Sequence, residues 1–316
     1  MSDHKIIAVI GATGAQGGGL ARAIAADRSH GFVARAITRN PGSDKASALR
    51  ALGIEVVAGD ADNPASLERA FAGAYGAFCV TNFWEHSSAE REGKQAGAMA
   101  HASRKAGLTH VVWSTLEDTR EHIPLTDTRM PTLHGKYNVP HFDSKGEMNR
   151  VFEQVAAPTS FLEAAFYWEN FIAFGMGPRA GEHGRAVLSL PLGGAKLPGV
   201  GVEDIGRCAY GIFKLGPHAA GRHFGIAGEV LSGPEMAAKM SAVLGRPIDF
   251  VDVPFDVFRG LGFPGAEDIG NMFQFQEILG DTFLNARSPA LSRELNPSLH
   301  DFDAWLAAHK DKIIVR

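Results

Sequence analysis

The 316-residue chain contains only two cysteines, Cys79 and Cys208. Two thiols can build neither a disulfide framework nor a four-ligand zinc site. Both sit in apolar surroundings, Ala-Phe-Cys-Val and Arg-Cys-Ala-Tyr, and read as buried free thiols of a reducing compartment. No run of 18 apolar residues occurs, which excludes a transmembrane helix. No run of five Lys/Arg occurs either. With 31 basic and 35 acidic residues the net charge is −4, so direct nucleic-acid binding is not expected. Internal repeats and low-complexity linkers are absent. The chain start runs from Met1-Ser2-Asp3-His4-Lys5 straight into an apolar strand, with no n-region and no Ala-x-Ala site. A cytoplasmic protein without membrane association is therefore expected.

What is present is ordinary globular composition, 45% hydrophobic and 21% charged. At about 150 residues per domain the length suggests two units, or one large α/β unit with an appendage. Ile6–Ile10 is a continuous apolar run, the mark of a strand buried on both faces. Further strands are expected at 32–38, 54–57, 77–81 and 109–114. Helices are expected at 19–27, 43–52, 64–73 and 85–107 between them. Crossovers of this length imply a parallel sheet with helices on both faces. The pattern lapses from Thr115 to Pro140, a long loop of the kind that often carries function. A helix at 141–155 and a strand at 160–162 follow. Beyond about residue 165 the signals weaken to strands at 186–190, 222–226 and 247–251, a helix at 202–215, and further helices broken at Gly262-Phe263-Pro264-Gly265. The expected fold is a Rossmann doubly wound α/β sheet with a smaller C-terminal α/β lobe. Residues 1–165, with 200–227 returning to them, would form the first; 166–199 and 228–316 would form the second.

Gly11-Ala12-Thr13-Gly14-Ala15-Gln16-Gly17 lies between the first strand and first helix. Glycine here permits a tight turn, close approach of a pyrophosphate to the backbone, and close helix–strand packing. The helix N-terminus then offers free N–H groups to phosphate. The second strand ends Thr38-Arg39-Asn40-Pro41, with Arg39 where an acid would accept the ribose 2′-hydroxyl of NAD. A guanidinium suits a 2′-phosphate, so NADP(H) is the expected cofactor, the alternative being a solvated loop arginine. Asp60, after the third strand, sits where such folds receive adenine, and also suits a helix N-cap.

Short-chain dehydrogenases place a Ser at the end of strand five and Tyr-x-x-x-Lys on the next helix, where Lys lies on the same face as the Tyr acid. Here Ser114 and Lys145 occupy two of those places, but the Tyr position holds His141. Histidine can donate a proton near neutral pH, so His141 and Ser114 are the catalytic candidates, set against a structural or cofactor-sensing role for His141. His122, His134 and His141 match no compact metal-ligand spacing, and no metal is expected.

These motifs, together with Val80-Thr81-Asn82-Phe83-Trp84-Glu85, Tyr167-Trp168-Glu169-Asn170 and Leu261-Gly-Phe-Pro-Gly-Ala266, resemble the NmrA-like proteins over nearly the whole chain. These are an atypical branch of the short-chain dehydrogenase/reductase superfamily, and the likeness is greatest to the redox-sensor subgroup. The resemblance implies cofactor contacts from Gly11 to Gln16, Arg39, Thr81, Asn82, Phe83, Lys94, Lys145 and Tyr167 to Asn170. It implies either a regulator that senses the NADPH/NADP⁺ ratio with little turnover and answers to a protein partner, or an NADPH-dependent reductase of a small hydrophobic carbonyl, quinone or enone. His141 in place of Tyr fits the first. A homo-oligomer is left open. One departure concerns Gly42-Ser43-Asp44, where similar proteins carry further basic residues and one phosphate contact would be missing.

Overall fold

The computed structural model describes residues 4–27, 29 and 31–315; Met1–Asp3, which the chain-start expectation used, lie outside them. The first half alternates strictly: β1 (Lys5–Val9), α1 (Ala15–Ala26), β2 (Phe32–Thr38), α2 (Asp44–Ala51), β3 (Glu55–Ala58), α3 (Pro64–Phe71), β4 (Gly76–Cys79), α4 (Ala89–Lys105), β5 (His110–Thr115), α5 (Pro140–Gln154) and β6 (Thr159–Ala164). The second half comprises β7 (Phe166–Tyr167), α6 (Asn170–Ala173), β8 (Arg179–Ala180), β9 (Ala186–Leu190), β10 (Leu197–Val200), α7 (Val202–Leu215), β11 (His223–Ile226), β12 (Glu229–Leu231), α8 (Gly233–Leu244), β13 (Ile248–Asp252), α9 (Phe255–Arg259), α10 (Ala266–Leu279), α11 (Asp281–Asn285), α12 (Pro289–Leu295) and α13 (Phe302–His309).

Seven parallel strands form the main sheet in the order β11-β6-β5-β4-β1-β2-β3. The apolar runs split by the two-residue period of a strand. Ile7, Val9, Phe78, Val112 and Leu162 face α1 and α7, whereas Ala8, Ile10, Cys79, Trp113 and Phe161 face α3, α4 and α5. Both faces are thus covered, as an all-parallel sheet requires. The two cysteines are free and lie one in each of these cores, and burial raises both thiol pKa values.

Glycine also lets two helices of one layer pack closely together. Gly206 of α7 meets α1 so closely that a Cβ there would lie 2.2 Å from the Leu20 nitrogen. The smaller lobe holds two three-stranded sheets, β12-β10-β7 and β13-β9-β8, around Trp168, Phe171, Phe302 and Trp305. Its strands of two to five residues, one reading Leu-Pro-Gly-Val, give little periodicity to find in a sequence.

Two helix starts differ from expectation. Helix α1 begins at Ala15 rather than Gly19, so Gly17, Gly18 and Gly19 are helical; the low propensity of glycine conceals this. Helix α4 begins at Ala89 rather than Glu85, because Ser88 caps it, its hydroxyl accepting the Arg91 N–H at 3.2 Å. Phe83–Glu85 form a separate 3₁₀ turn. Among the described residues no helix is long and apolar enough to cross a membrane.

Candidate functional site

The carboxyl ends of the parallel strands gather most of the sequence candidates. After β1 the chain turns at Gly11, whose φ of +65° favours glycine, and the Gly14 N–H donates to the Gly11 carbonyl at 2.8 Å. A Cβ at Gly17 would lie 2.6 Å from the carbonyl oxygens of both Ile10 and Gly11. Helix α1 has no side-chain cap at Gly14 and no acid in its first turn, so its N–H groups stay available to an anion. Ala12 is buried beneath this turn, while Thr13, Gly14 and Ala15 line its outer side.

Gln16 joins two distant candidates. Its side-chain oxygen accepts the Ser114 hydroxyl at 2.7 Å, and its amide donates to the Tyr167 phenol. Burial pushes the Tyr167 phenol up to about 12, so it stays protonated at neutral pH.

A buried ion pair fixes Lys145. Its ammonium lies 2.9 Å from Glu92, donates to the Thr81 hydroxyl, and sits 5.5 Å over the Trp113 ring. The fully buried Glu92 also accepts from Thr81 at 2.7 Å and from Ser144. Burial works to raise the Glu92 carboxyl. The Lys145 charge and the three donors outweigh it and hold Glu92 below the usual carboxylate range.

His141 opens the same helix one turn before Lys145. Its Nδ1 is 2.6 Å from Asp268 of α10, and its backbone N–H donates to the other oxygen of that carboxylate at 3.2 Å. The ring lies 4.9 Å from both Trp84 and Phe142 and 6.1 Å from Phe83. The residue is 7% exposed, and Nε2 has no hydrogen-bond partner among the described residues. An ionised carboxylate only accepts, so Nδ1 carries the hydrogen and Nε2 is the nitrogen free to exchange a proton.

Arg39 follows β2 and pairs end-on with Glu85 through both terminal nitrogens, one contact being 3.0 Å. This hydrogen-bonded pairing raises the Arg39 pKa and lowers that of Glu85. Asp60 accepts the Asp62 N–H at 3.0 Å and lies near enough to act on the Arg39 charge. Asn82 is exposed beside the buried Phe83.

The remaining candidates lie apart. Lys94 is on the solvent face of α4, paired with Glu90 at 2.7 Å. Trp168 packs on Phe302 and Trp305 in the smaller lobe. Glu169 accepts the Trp305 indole N–H at 2.9 Å and the Val202 N–H at 3.0 Å, and Asn170 starts α6. No described group of His, Cys, Asp and Glu could hold a metal ion.

Three acids escaped the sequence reading: Glu85, Glu92 and Asp268. Each pairs across elements at a separation no periodicity encodes. Glu85 ends the Val80–Glu85 motif and Asp268 lies two residues after the Gly-Phe-Pro-Gly-Ala motif, whereas Glu92 had no local pointer.

This strand order, with a glycine turn at the point where it reverses, defines a Rossmann dinucleotide-type fold. The chain belongs to the NmrA-like family, whose model matches residues 3–306. It is 28% identical over 299 residues to the NmrA-like family domain-containing oxidoreductase FrzB of a Cladobotryum species, covering 88% of this chain and 85% of that one. It superposes on NmrA, a negative transcriptional regulator crystallised with NADP, with a TM-score of 0.75 at 22% identity over 96% and 94% of the two chains. It also superposes on Citrobacter sp. triphenylmethane reductase complexed with NADP(H), with a TM-score of 0.74 at 21% identity over 98% and 100%.

Proposed function

We propose that the protein binds NADP(H) over the glycine turn and reduces a small hydrophobic carbonyl, quinone or enone. The residues present fit the cofactor. The Gly11–Gly17 turn leaves no room for a β-carbon where helix meets strand, and the uncapped α1 N-terminus suits a pyrophosphate. Arg39 suits a 2′-phosphate, and Lys145, pinned by Glu92 and Thr81, suits a ribose diol.

The observation that carries reduction is the His141–Asp268 pair. The bound cofactor would supply a hydride to the substrate carbon. The substrate oxygen then needs one proton, and protonated His141 gives it from Nε2. Asp268 holds Nδ1–H, fixes the ring plane, and stabilises the imidazolium before transfer. Trp84, Phe83 and Phe142 supply apolar surface beside the imidazole ring. Tyr167 is a poor acid at neutral pH, because burial holds it protonated.

The test has two stages. Calorimetric titration with NADPH, NADP⁺ and NADH comes first. NADPH oxidation is then followed with a panel of quinones, enones and aromatic aldehydes, using wild type and His141→Ala. Turnover that falls in His141→Ala supports reduction; NADPH binding without turnover on any substrate rejects it.

A second reading is a redox-sensing regulator with little turnover. The absence of Tyr at position 141 supports it, as does the likeness to NmrA. Sensing requires that two states of the protein differ in their relative affinity for NADPH and NADP⁺. Exchange of one cofactor for the other should then change hydrodynamic size or affinity for a protein partner, and an unchanged protein excludes it.

A further inference from the structure

In the main sheet β1 lies between β2 and β4. Arg39 directly follows β2, and Glu85 ends the 3₁₀ turn after β4. Their side chains therefore meet across the glycine turn, over the crevice where such sheets seat a dinucleotide. The pairing joins both terminal nitrogens of the guanidinium to both carboxylate oxygens. The side chains are 57% and 38% exposed, so solvent and solutes reach them.

Glu85 occupies the edge formed by the two terminal nitrogens, so an arriving oxyanion must displace it or share the guanidinium with it through the Nε edge. The other acids near Arg39 cannot take over that place freely. Asp62 is held by Arg91 at 2.6 Å and by Gln95 at 3.0 Å. Nor is a second basic group supplied next in sequence, where the chain reads Gly42-Ser43-Asp44. A 2′-phosphate arriving at Arg39 thus meets a competing anion, with no further basic residue directly after Arg39 in sequence to share it. An unphosphorylated ribose asks for no such exchange, and its 2′-hydroxyl can donate to the carboxylate in place.

We propose that Glu85 is a specificity-determining residue: an internal competitor for Arg39 that weakens the preference for 2′-phosphorylated over unphosphorylated dinucleotides. The role rests on the NADP(H) reading above. Arg91, itself paired with Asp62, lies close enough for its charge to act on Glu85.

The test is calorimetric titration of wild type, Glu85→Gln and Glu85→Gln/Arg39→Met with NADP⁺, NAD⁺, 2′,5′-ADP and 5′-AMP. Glu85→Gln keeps the shape, removes the charge, and sits at an exposed position where folding is not at stake. It should tighten NADP⁺ and 2′,5′-ADP by about tenfold, a loss of one charge-assisted competitor. NAD⁺ and 5′-AMP should tighten little or weaken, and Arg39→Met should cancel the gain. An unchanged NADP⁺/NAD⁺ ratio, or equal shifts for both pairs, overturns the role of Glu85 while leaving the cofactor site intact. Wild type that binds neither dinucleotide overturns the cofactor site, and Glu85 with it.

Discussion

One carboxylate on α10 holds the first turn of α5 at two points: Asp268 receives both the ring Nδ1–H of His141, at 2.6 Å, and its backbone N–H, at 3.2 Å. The histidine belongs to the sheet-bearing part of the chain and the aspartate to a helix packed beside it. The contact therefore orients a ring and ties two parts of the fold together. The two roles separate by measurement. In Asp268→Asn the rate of NADPH oxidation should fall on the order of 10²-fold, the usual worth of a placed acid. NADPH affinity should stay within about twofold, a shift well under 1.4 kcal/mol. A rate equal to wild type, with a lower unfolding midpoint, would make the pair a structural clasp only.

Removing the charge of Glu92 should cost stability before it costs anything else. Glu92→Gln keeps the shape but leaves the Lys145 ammonium, whose side chain is only 12% exposed, without its counter-charge. Breaking a buried pair from one side costs about 3–5 kcal/mol. The pH dependence has a definite sign. Glu92 is held below its ordinary value of 4.5, so its contribution is present above that pH and is lost as pH falls through the lowered value. Melting curves of wild type and Glu92→Gln should converge in that acid range. A gap that stays constant at low pH would contradict the ion-pair account.

The turn leaves no space at Gly17. Its two nearest neighbours are backbone carbonyls at 2.6 Å, which have no rotamer to adopt. Gly17→Ala should destabilise by about 1–3 kcal/mol, the range for overpacking, and should weaken dinucleotide binding by moving the start of α1. Denaturant unfolding and a binding titration report the two effects separately. Stability equal to wild type would show that helix and strand can part without cost.

A second histidine, far from the first, should respond to alkali. His223 Nδ1 is 2.7 Å from the largely buried Glu163, which also faces the fully buried Arg287 at 3.5 Å. The Glu163 hydrogen bond raises the His223 pKa above 6.5. Its contribution is therefore full below 6.5 and is lost as pH rises through the raised value. The stability difference between wild type and His223→Gln should be largest near pH 6 and shrink toward alkaline pH. It will be small, because nearly half of the side chain is in water.

The main sheet was legible because each strand is a short apolar run between helix-length segments, and parallel strands buried on both faces need little else. The positions of the glycine turn, Arg39 and Lys145 in the fold were legible because each occupies a fixed place relative to a strand end. The start of α1 was not, since Gly17 to Gly19 lie in a helix that gains its stability from packing on α7 rather than from propensity. Ser88 misled in the opposite way: a cap inside a polar stretch breaks it without altering its composition. The pairings Arg39–Glu85, Lys145–Glu92 and His141–Asp268 span 46, 53 and 127 residues. Contacts at such separations come from the tertiary fold; a motif can draw attention to one partner, but a single sequence does not encode the pairing.

The edge strand β11 has a consequence for biosynthesis. It completes the sheet against β6 only after β7 to β10 and α7 have been made. A nascent chain that has just emerged through β6 therefore exposes an open row of amide and carbonyl groups beside Phe161 and Leu162, with the α7 that should cover α1 still unsynthesised. About 60 further residues must be translated before that edge closes, some seconds at ordinary elongation rates. In that interval the chain is a target for chaperones or for pairing with another edge. A fragment ending at β6 should precipitate on expression, whereas one that runs past β11 has its edge strand in place.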